Sequence, residues 1–244
     1  MNSGLLQADT SKIDRRRRLL ARIQRKYQTI TEDLNFGRMT IGFTRVAEPD
    51  RVLDEIVAEE DRREKITGVR LDDPQHLPYW AELWESACGI GAALAKMRLS
   101  ESTRVLDLGC GMGLAGAVAA AMGASVTLAD LEAPALLFAR LNSLPFGDRV
   151  RTRQLNWQTD RLTEQFDLIV GSDILYERKQ WEFLDQFWKT HLAENGTVML
   201  GEPGRQSGEM FVPWIGPRGW ILREGFEESR KEGKRIRIFW LERD

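Results

Sequence analysis

The stretch Arg104-Val-Leu-Asp-Leu-Gly-Cys-Gly-Met-Gly-Leu-Ala-Gly116 leaves this chain few folds to choose from. Val105, Leu106 and Leu108 form an apolar run that reads as a buried strand, and Gly109, Gly111 and Gly113 follow where it must turn into a helix. Residues without a Cβ let such a loop close tightly around a polar small molecule, while the free N–H groups of the next helix point at it. Asp107 falls at the carboxyl end of the strand and is expected beside that ligand.

The next apolar run, Ser125-Val-Thr-Leu-Ala-Asp130, ends in a second carboxylate. A carboxylate roughly 20 residues beyond a glycine loop is placed to accept hydrogen bonds from ribose hydroxyls, so the expected ligand is a nucleoside. Gly111, Gly113 and Gly116 also satisfy G-x-G-x-x-G, which alone would admit a dinucleotide. Asp107 argues otherwise, because a carboxylate there repels a pyrophosphate and attracts an amino group.

Aromatic side chains gather before the loop, with Tyr79, Trp80 and Trp84 inside Leu77-Pro-Tyr-Trp-Ala-Glu-Leu-Trp-Glu-Ser86. Their faces suit a cation and a stacked adenine, with core packing as the competing reading. The helix that follows is expected to run to about Arg98. Beyond the loop the pattern alternates. Helices are expected over Leu114 to Met122, Pro134 to Ser143 and Trp181 to Leu192. Strands are expected over Val150 to Asn156, from Phe166, from Gly196 to Pro203, and in the last two runs, Trp220 to Arg223 and Lys234 to Glu242. Ligand contacts collect at the carboxyl ends of parallel strands, which makes Asn156 and Trp157 candidates to flank an adenine and turns Asp173 and Tyr176 toward a second substrate.

The run D-L-G-C-G-M-G followed by L-A-D resembles the S-adenosylmethionine-dependent methyltransferases with a Rossmann-like sheet. That resemblance implies an α/β fold with a seven-stranded, mostly parallel sheet, helices on both faces and a closing antiparallel pair. L-P-Y-W-A-E-L-W-E-S, L-N-W and S-D-I-L-Y are similar to the seven-strand protein lysine methyltransferases, and V-M-L-G-E-P-G-R over residues 198–205 to the branch acting on the electron-transfer flavoprotein β subunit. The likeness covers about residues 70–205. It implies S-adenosyl-L-methionine held by Trp84, Asp107, Gly109, Cys110, Gly111, Gly113, Asp130, the following Leu131, Asn156, Trp157 and Ser172. It also implies catalysis by Asp173 and Tyr176 of the D-x-x-Y motif. Asn156 departs from relatives that carry Asp, and its amide donates as well as accepts. The absence of N/D-P-P-Y after the fourth strand speaks against a base-directed enzyme.

On this reading Asp173 orients an incoming amine or takes its proton through water, and Tyr176 supplies a ring wall and a hydroxyl. A protein lysine is the expected acceptor. A small-molecule amine is the alternative, and a nucleoside-binding module without catalysis is a third reading.

Residues 1–70 are expected to form a largely helical extension to a methyltransferase domain over 71–244, covering part of it or shaping the substrate entrance. Ile13, Leu20, Ile23, Tyr27, Ile30 and Leu34 recur at helical steps and predict a helix over 9–35, and Pro49 to Lys65 predicts another with Val52, Leu53, Ile56 and Val57 inside. Thr40 to Val46 alternates like a short strand. Arg15-Arg-Arg-Arg18, Arg22, Arg25 and Lys26 make the first helix basic, which reads as a solvated face or as a nucleic-acid docking arm. A net charge of −2 over 244 residues argues against a dedicated nucleic-acid binder. No apolar run is long enough to span a membrane and the first residues lack the order of a secretory signal. Two cysteines, Cys88 and Cys110, give no disulfide framework, so a cytoplasmic setting is expected. His76 and His191 stand apart, and no metal site is expected.

Overall fold

The computed structural model describes residues 3–68, 77–230 and 233–244, with side chains from residue 12 onward. His76 and the expected boundary near residue 70 lie outside the described residues. The chain opens with α1 (Ser3–Gln24), a hairpin of β1 (Thr29–Phe36) and β2 (Met39–Val46), and α2 (Pro49–Thr67). The single helix expected over 9–35 is therefore two elements. Lys26 and Tyr27 both donate their N–H to the Ile23 carbonyl at 3.0 Å and close α1. The β-branched Thr29, Ile30 and Thr31 then favour extended backbone. Leu34 and Phe36 are buried two residues apart, which is strand periodicity. Gly37 and Arg38 alone connect the strands, and Gly37 takes φ 62°, the first central position of a type II′ turn. On α2 only Val52 is buried, whereas Leu53 and Val57 are exposed, so the inner face expected there is narrower than its sequence pattern.

The main body continues with α3 (Glu85–Leu94), β3 (Arg104–Leu108), α4 (Leu114–Ala121), β4 (Ser125–Asp130), α5 (Ala133–Ser143) and β5 (Val150–Gln154). It ends with β6 (Phe166–Ser172), α6 (Trp181–His191), β7 (Leu192–Glu202), α7 (Gln206–Ile215), β8 (Trp220–Glu228) and β9 (Arg235–Arg243). The helix after Trp84 stops at Leu94, short of the expected Arg98, and α7 is an element that the sequence reading did not anticipate. The seven strands lie in the order β5-β4-β3-β6-β7-β9-β8, parallel except that β9 runs antiparallel to both its neighbours. The fold class expected from the sequence is the one observed.

Two apolar layers sandwich this sheet. On one face α3, α4 and α5 pack with the hairpin through Phe43, Ile90, Leu94, Val118 and Phe138. On the other, α6 and α7 contribute Trp181, Phe187, Trp188 and Phe211. The chain moves outward from β3 through β4 to β5, then returns to lay β6 on the opposite side of β3. That reversal opens a crevice above the carboxyl ends of β3 and β6, where a parallel sheet binds its ligands.

Candidate active site

A cavity of about 250 Å³ fills this crevice. Its floor is the glycine loop. Gly113 caps α4 with φ 85°, and a Cβ there would come within 3.0 Å of the Ala139 Cα, so neither the conformation nor the space suits another residue. The Cys110 N–H donates to the Ala129 carbonyl at 2.9 Å and ties the loop to the end of β4.

Asp130 follows on β4 and is nearly buried beneath the loop. Its Oδ2 accepts the Gly111 N–H at 2.7 Å and its Oδ1 the Glu132 N–H at 2.9 Å. Burial pushes this carboxyl up to about 6, against the pull of those two N–H groups. A carboxylate has room for about four donors, so Asp130 still has lone pairs for a ligand.

Twelve of the thirteen residues expected at the site line the cavity: Trp84, Gly109, Cys110, Gly111, Gly113, Asp130, Leu131, Asn156, Trp157, Ser172, Asp173 and Tyr176. Asp107 does not. It is 1% exposed, and its Oδ2 accepts the Gly116 N–H at 2.8 Å within α4. Side chains alternate across a strand, so Asp107 shares the face of Val105 and is covered by α4 instead of projecting from the strand tip. Gly116 permits this, because a Cβ there would strike Leu128. Burial raises the Asp107 carboxyl to about 7.

The far wall is aromatic. Trp157 lies against Gly109, and its Nε1–H donates to Gln180 Oε1 at 3.1 Å. Gln158 donates to the same oxygen at 2.8 Å. Asn156 Oδ1 accepts the Gln158 N–H at 2.9 Å, which leaves its Nδ2 without a protein partner among the described residues. Gln180, buried just before α6, thus fixes the orientation of the indole. Nothing in the sequence singled it out.

At the mouth, Tyr79 is 40% exposed and stands edge-on to Tyr176 at 5.6 Å and to Trp84 at 6.5 Å between ring centroids. The Trp84 Nε1–H donates to the Tyr79 carbonyl at 2.8 Å. Trp80 instead turns inward against Tyr27 and Phe138 at 5.3 and 5.8 Å, so of the three early aromatics it is the one that serves as core, although it also borders the cavity. Phe43 of β2 reaches the same cavity, which brings the amino-terminal hairpin to the site.

Asp173 is 8% exposed and has φ 55°, the only positive φ outside glycine among the described residues. Arg205 grips it with Nε to Oδ1 at 2.9 Å and Nη2 to Oδ2 at 2.6 Å. Burial raises the Asp173 carboxyl above its ordinary range, and Arg205 pulls it back. Burial also pushes the Tyr176 phenol up to about 12, so it keeps its proton and can donate at neutral pH. Arg205 belongs to G-E-P-G-R, noted in the sequence only for its likeness to a family branch. Its partnership with Asp173 was not foreseen. No cluster of metal-ligating side chains occurs among the described residues.

The chain has recognisable relatives. Protein N-lysine methyltransferase METTL21A of Danio rerio is 36% identical over 137 residues, which cover 52% of this chain and 62% of that protein. The electron transfer flavoprotein beta subunit lysine methyltransferase of Danio rerio is 33% identical over 143 residues, 54% of this chain and 52% of that protein. The match thus spans between half and two thirds of these relatives' length. In three dimensions, the TehB-like SAM-dependent methyltransferase from Corynebacterium glutamicum superimposes with a TM-score of 0.51 at 20% identity, covering 80% of this chain and all of that one. A family model described as lysine methyltransferase matches residues 79–212, from the aromatic mouth to within α7. With that match running through more than half of its 244 residues, the chain belongs to the lysine methyltransferase family.

Proposed function

We propose that this protein transfers a methyl group from S-adenosyl-L-methionine to the side-chain amine of a lysine in another protein. The observation that carries the reading is that one cavity is lined both by a glycine loop with the strand-end carboxylate Asp130 and by a second carboxylate, Asp173, together with Tyr79, Trp84 and Tyr176. Both similar relatives named above are lysine methyltransferases by name.

The residues fit that donor. Ser172 lines the cavity, and its Oγ is a buried polar atom without a partner among the described residues. Buried polar atoms are ordinarily paired, so this oxygen is a place for a donor or acceptor brought from outside. Asp130 would take the ribose hydroxyls, and Trp157 with the amide of Asn156 would flank the base. Bound there, S-adenosyl-L-methionine supplies a methyl group already activated by its sulfonium.

What remains for the chain is alignment and the exclusion of water. A lysine amine has an ordinary pKa near 10.4 and must lose its proton to become a nucleophile. Tyr79, Trp84 and Tyr176 strip water from an entering side chain, which disfavours its charged form. Asp173 accepts a hydrogen bond from the amine and turns its lone pair inward, and the Tyr176 hydroxyl offers a second polar contact. An exposed aromatic mouth suits a side chain presented by a protein better than a small molecule enclosed under a cover.

The test is transfer of labelled methyl from S-adenosylmethionine into a cell lysate, followed by mass spectrometry of the labelled species. Label on lysine in discrete protein bands is the expected result. Label confined to small molecules, or none at all, would reject the reading.

A further inference from the structure

Arg205 sits where no motif of the sequence reading gave it a role. Its guanidinium pairs with both oxygens of Asp173, 32 residues earlier in the chain, and its Cζ lies 5.4 Å from the centre of the Trp84 ring. The residue's own position is secured from behind. Glu202, at the end of β7 and buried, accepts the backbone N–H groups of Gly204 and Arg205 through Oε1. Its Oε2 accepts Arg237 Nη2 from β9 at 3.0 Å, and Arg237 in turn reaches Glu209 at 2.9 Å. A Cβ at Gly208 would collide with the Glu202 side chain, so the start of α7 leaves room for this carboxylate. Acid and base therefore alternate from the cavity back to β9: Asp173, Arg205, Glu202 through the Arg205 backbone N–H, and Arg237.

We propose that Arg205 is a positioning residue of the transfer site, a clamp that holds the Asp173 carboxylate charged and aimed at the incoming amine. The proposal rests on the amine-methyltransferase reading above and extends it to a residue outside the D-x-x-Y motif. A carboxylate this deeply buried tends to neutralise itself by taking a proton. A protonated Asp173 would present one hydroxyl donor to an amine that needs an acceptor. The nearby charge of Glu202 pushes in the same direction as burial, and Arg205 is the cation that opposes both. The fork geometry matters as well as the charge. Two parallel N–H groups fix the plane of the carboxylate, which a lysine ammonium in the same place could not do. The Asp173 N–H donates to the Gly201 carbonyl at 2.9 Å, so backbone and guanidinium hold the residue from opposite ends.

The 244-residue chain with 13C-labelled aspartate carboxyls tests this by NMR titration, the Asp173 signal being the one missing from Asp173→Asn. In Arg205→Ala and in Arg205→Gln the Asp173 midpoint should rise by at least one pH unit, and Arg205→Lys should recover part of that rise. S-adenosylmethionine affinity, measured by calorimetry, should stay within threefold in all three. The acid limb of methyl transfer to the labelled lysate proteins should move upward in parallel, with kcat at pH 7 at least tenfold lower in Arg205→Ala and partly restored at pH 9. An unchanged Asp173 midpoint in Arg205→Ala and Arg205→Gln would overturn the proposal, as would a kcat loss that no pH restores. Absence of transfer by the wild-type protein would instead strike the functional reading, since the titration needs no acceptor.

Discussion

Asn142 on α5 and Thr44 on β2 exchange two buried hydrogen bonds across 98 residues of sequence: the Thr44 N–H donates to Asn142 Oδ1 at 2.8 Å, and Asn142 Nδ2 donates back to the Thr44 carbonyl at 2.9 Å. The same Nδ2 also donates to the Met112 carbonyl of the glycine loop at 2.9 Å. One amide therefore joins the amino-terminal hairpin, a helix of the main body and the floor of the cavity.

Asn142→Ala should leave three buried backbone groups unpaired, each costing on the order of 1–3 kcal/mol. Chemical denaturation should show a loss of about 2–4 kcal/mol after partial relaxation. Because the glycine loop loses an anchor, S-adenosylmethionine should bind more weakly as well. Asn142→Asp can keep the bond from Thr44 but not the two donations, so it should be destabilised too. A stability within 0.5 kcal/mol of wild type for both, in the range of ordinary surface substitutions, would show that the hairpin does not depend on this amide.

Asp107 offers a prediction in pH. Its carboxyl is raised by burial to about 7, so the folded state holds the proton more tightly than the unfolded chain, where such a group titrates near 3.9. The contribution of this group to stability is therefore best at low pH, declines as pH rises between about 4 and 7, and is least favourable above that. His191, lowered mainly by burial, acts in the opposite sense near its own range, so the diagnostic is the difference between two proteins. Asp107→Asn removes the titration while keeping an oxygen for the Gly116 N–H. Relative to wild type it should gain stability from pH 5 to about pH 7 and level off above that, read as the difference in Tm at each pH. A difference independent of pH would mean that Asp107 does not titrate in that window.

The reach of the sequence can be judged from the same residues. The sheet was legible because each core strand is an apolar run closed by glycine or a carboxylate, and β3, β4, β6 and β7 all follow that pattern. The second strand of the hairpin was legible in the alternation of Thr40 to Val46, but the first was not, because Ile23, Tyr27, Ile30 and Leu34 satisfy helical spacing while Leu34 and Phe36 also satisfy strand spacing; pairing with β2 decided the matter. The signal lay in the two-residue Gly37-Arg38 link between alternating runs. α7 was hidden by Gly208 and Pro213, both poor helix formers inside its span. The site was readable wherever a residue lies at a strand's carboxyl end, as Asp130 and Asp173 do. Asp107 lies one residue too early for that, and the strand's period of two turned it under α4. Gln180 and Arg205 were beyond reach because each acts through a partner distant in sequence, Trp157 for one and Asp173 for the other.

Gln180 can be tested through Trp157. Its Oε1 accepts both the indole N–H and the Gln158 amide, so Gln180→Leu should leave two donors unpaired and let the ring turn. S-adenosylmethionine affinity should fall about tenfold, equivalent to ~1.4 kcal/mol, with little change in kcat at saturating donor. Unaltered affinity by calorimetry would show that the indole keeps its place without this support.

The division of labour across the cavity gives the last test. Asp130 and Trp157 contact the glycine loop, whereas Asp173 is held by Arg205 and Tyr176 meets the exposed Tyr79. If the first pair holds the donor and the second the amine, substitutions should separate by readout. Asp130→Ala should weaken S-adenosylmethionine binding by tenfold or more. Asp173→Ala should leave that binding within a few-fold and depress kcat by about 100-fold, within the range of lost positioning or acid–base effects. Tyr176→Phe keeps the ring and removes only the hydroxyl, which is protonated at neutral pH like any tyrosine and which burial, by pushing it up to about 12, keeps protonated well into the alkaline range. It should therefore cost about tenfold in kcat, less than Tyr176→Ala, which also lets water reach the amine. Equal losses of donor affinity and turnover in Asp173→Ala would place that carboxylate with the donor and reverse the assignment of the two ends.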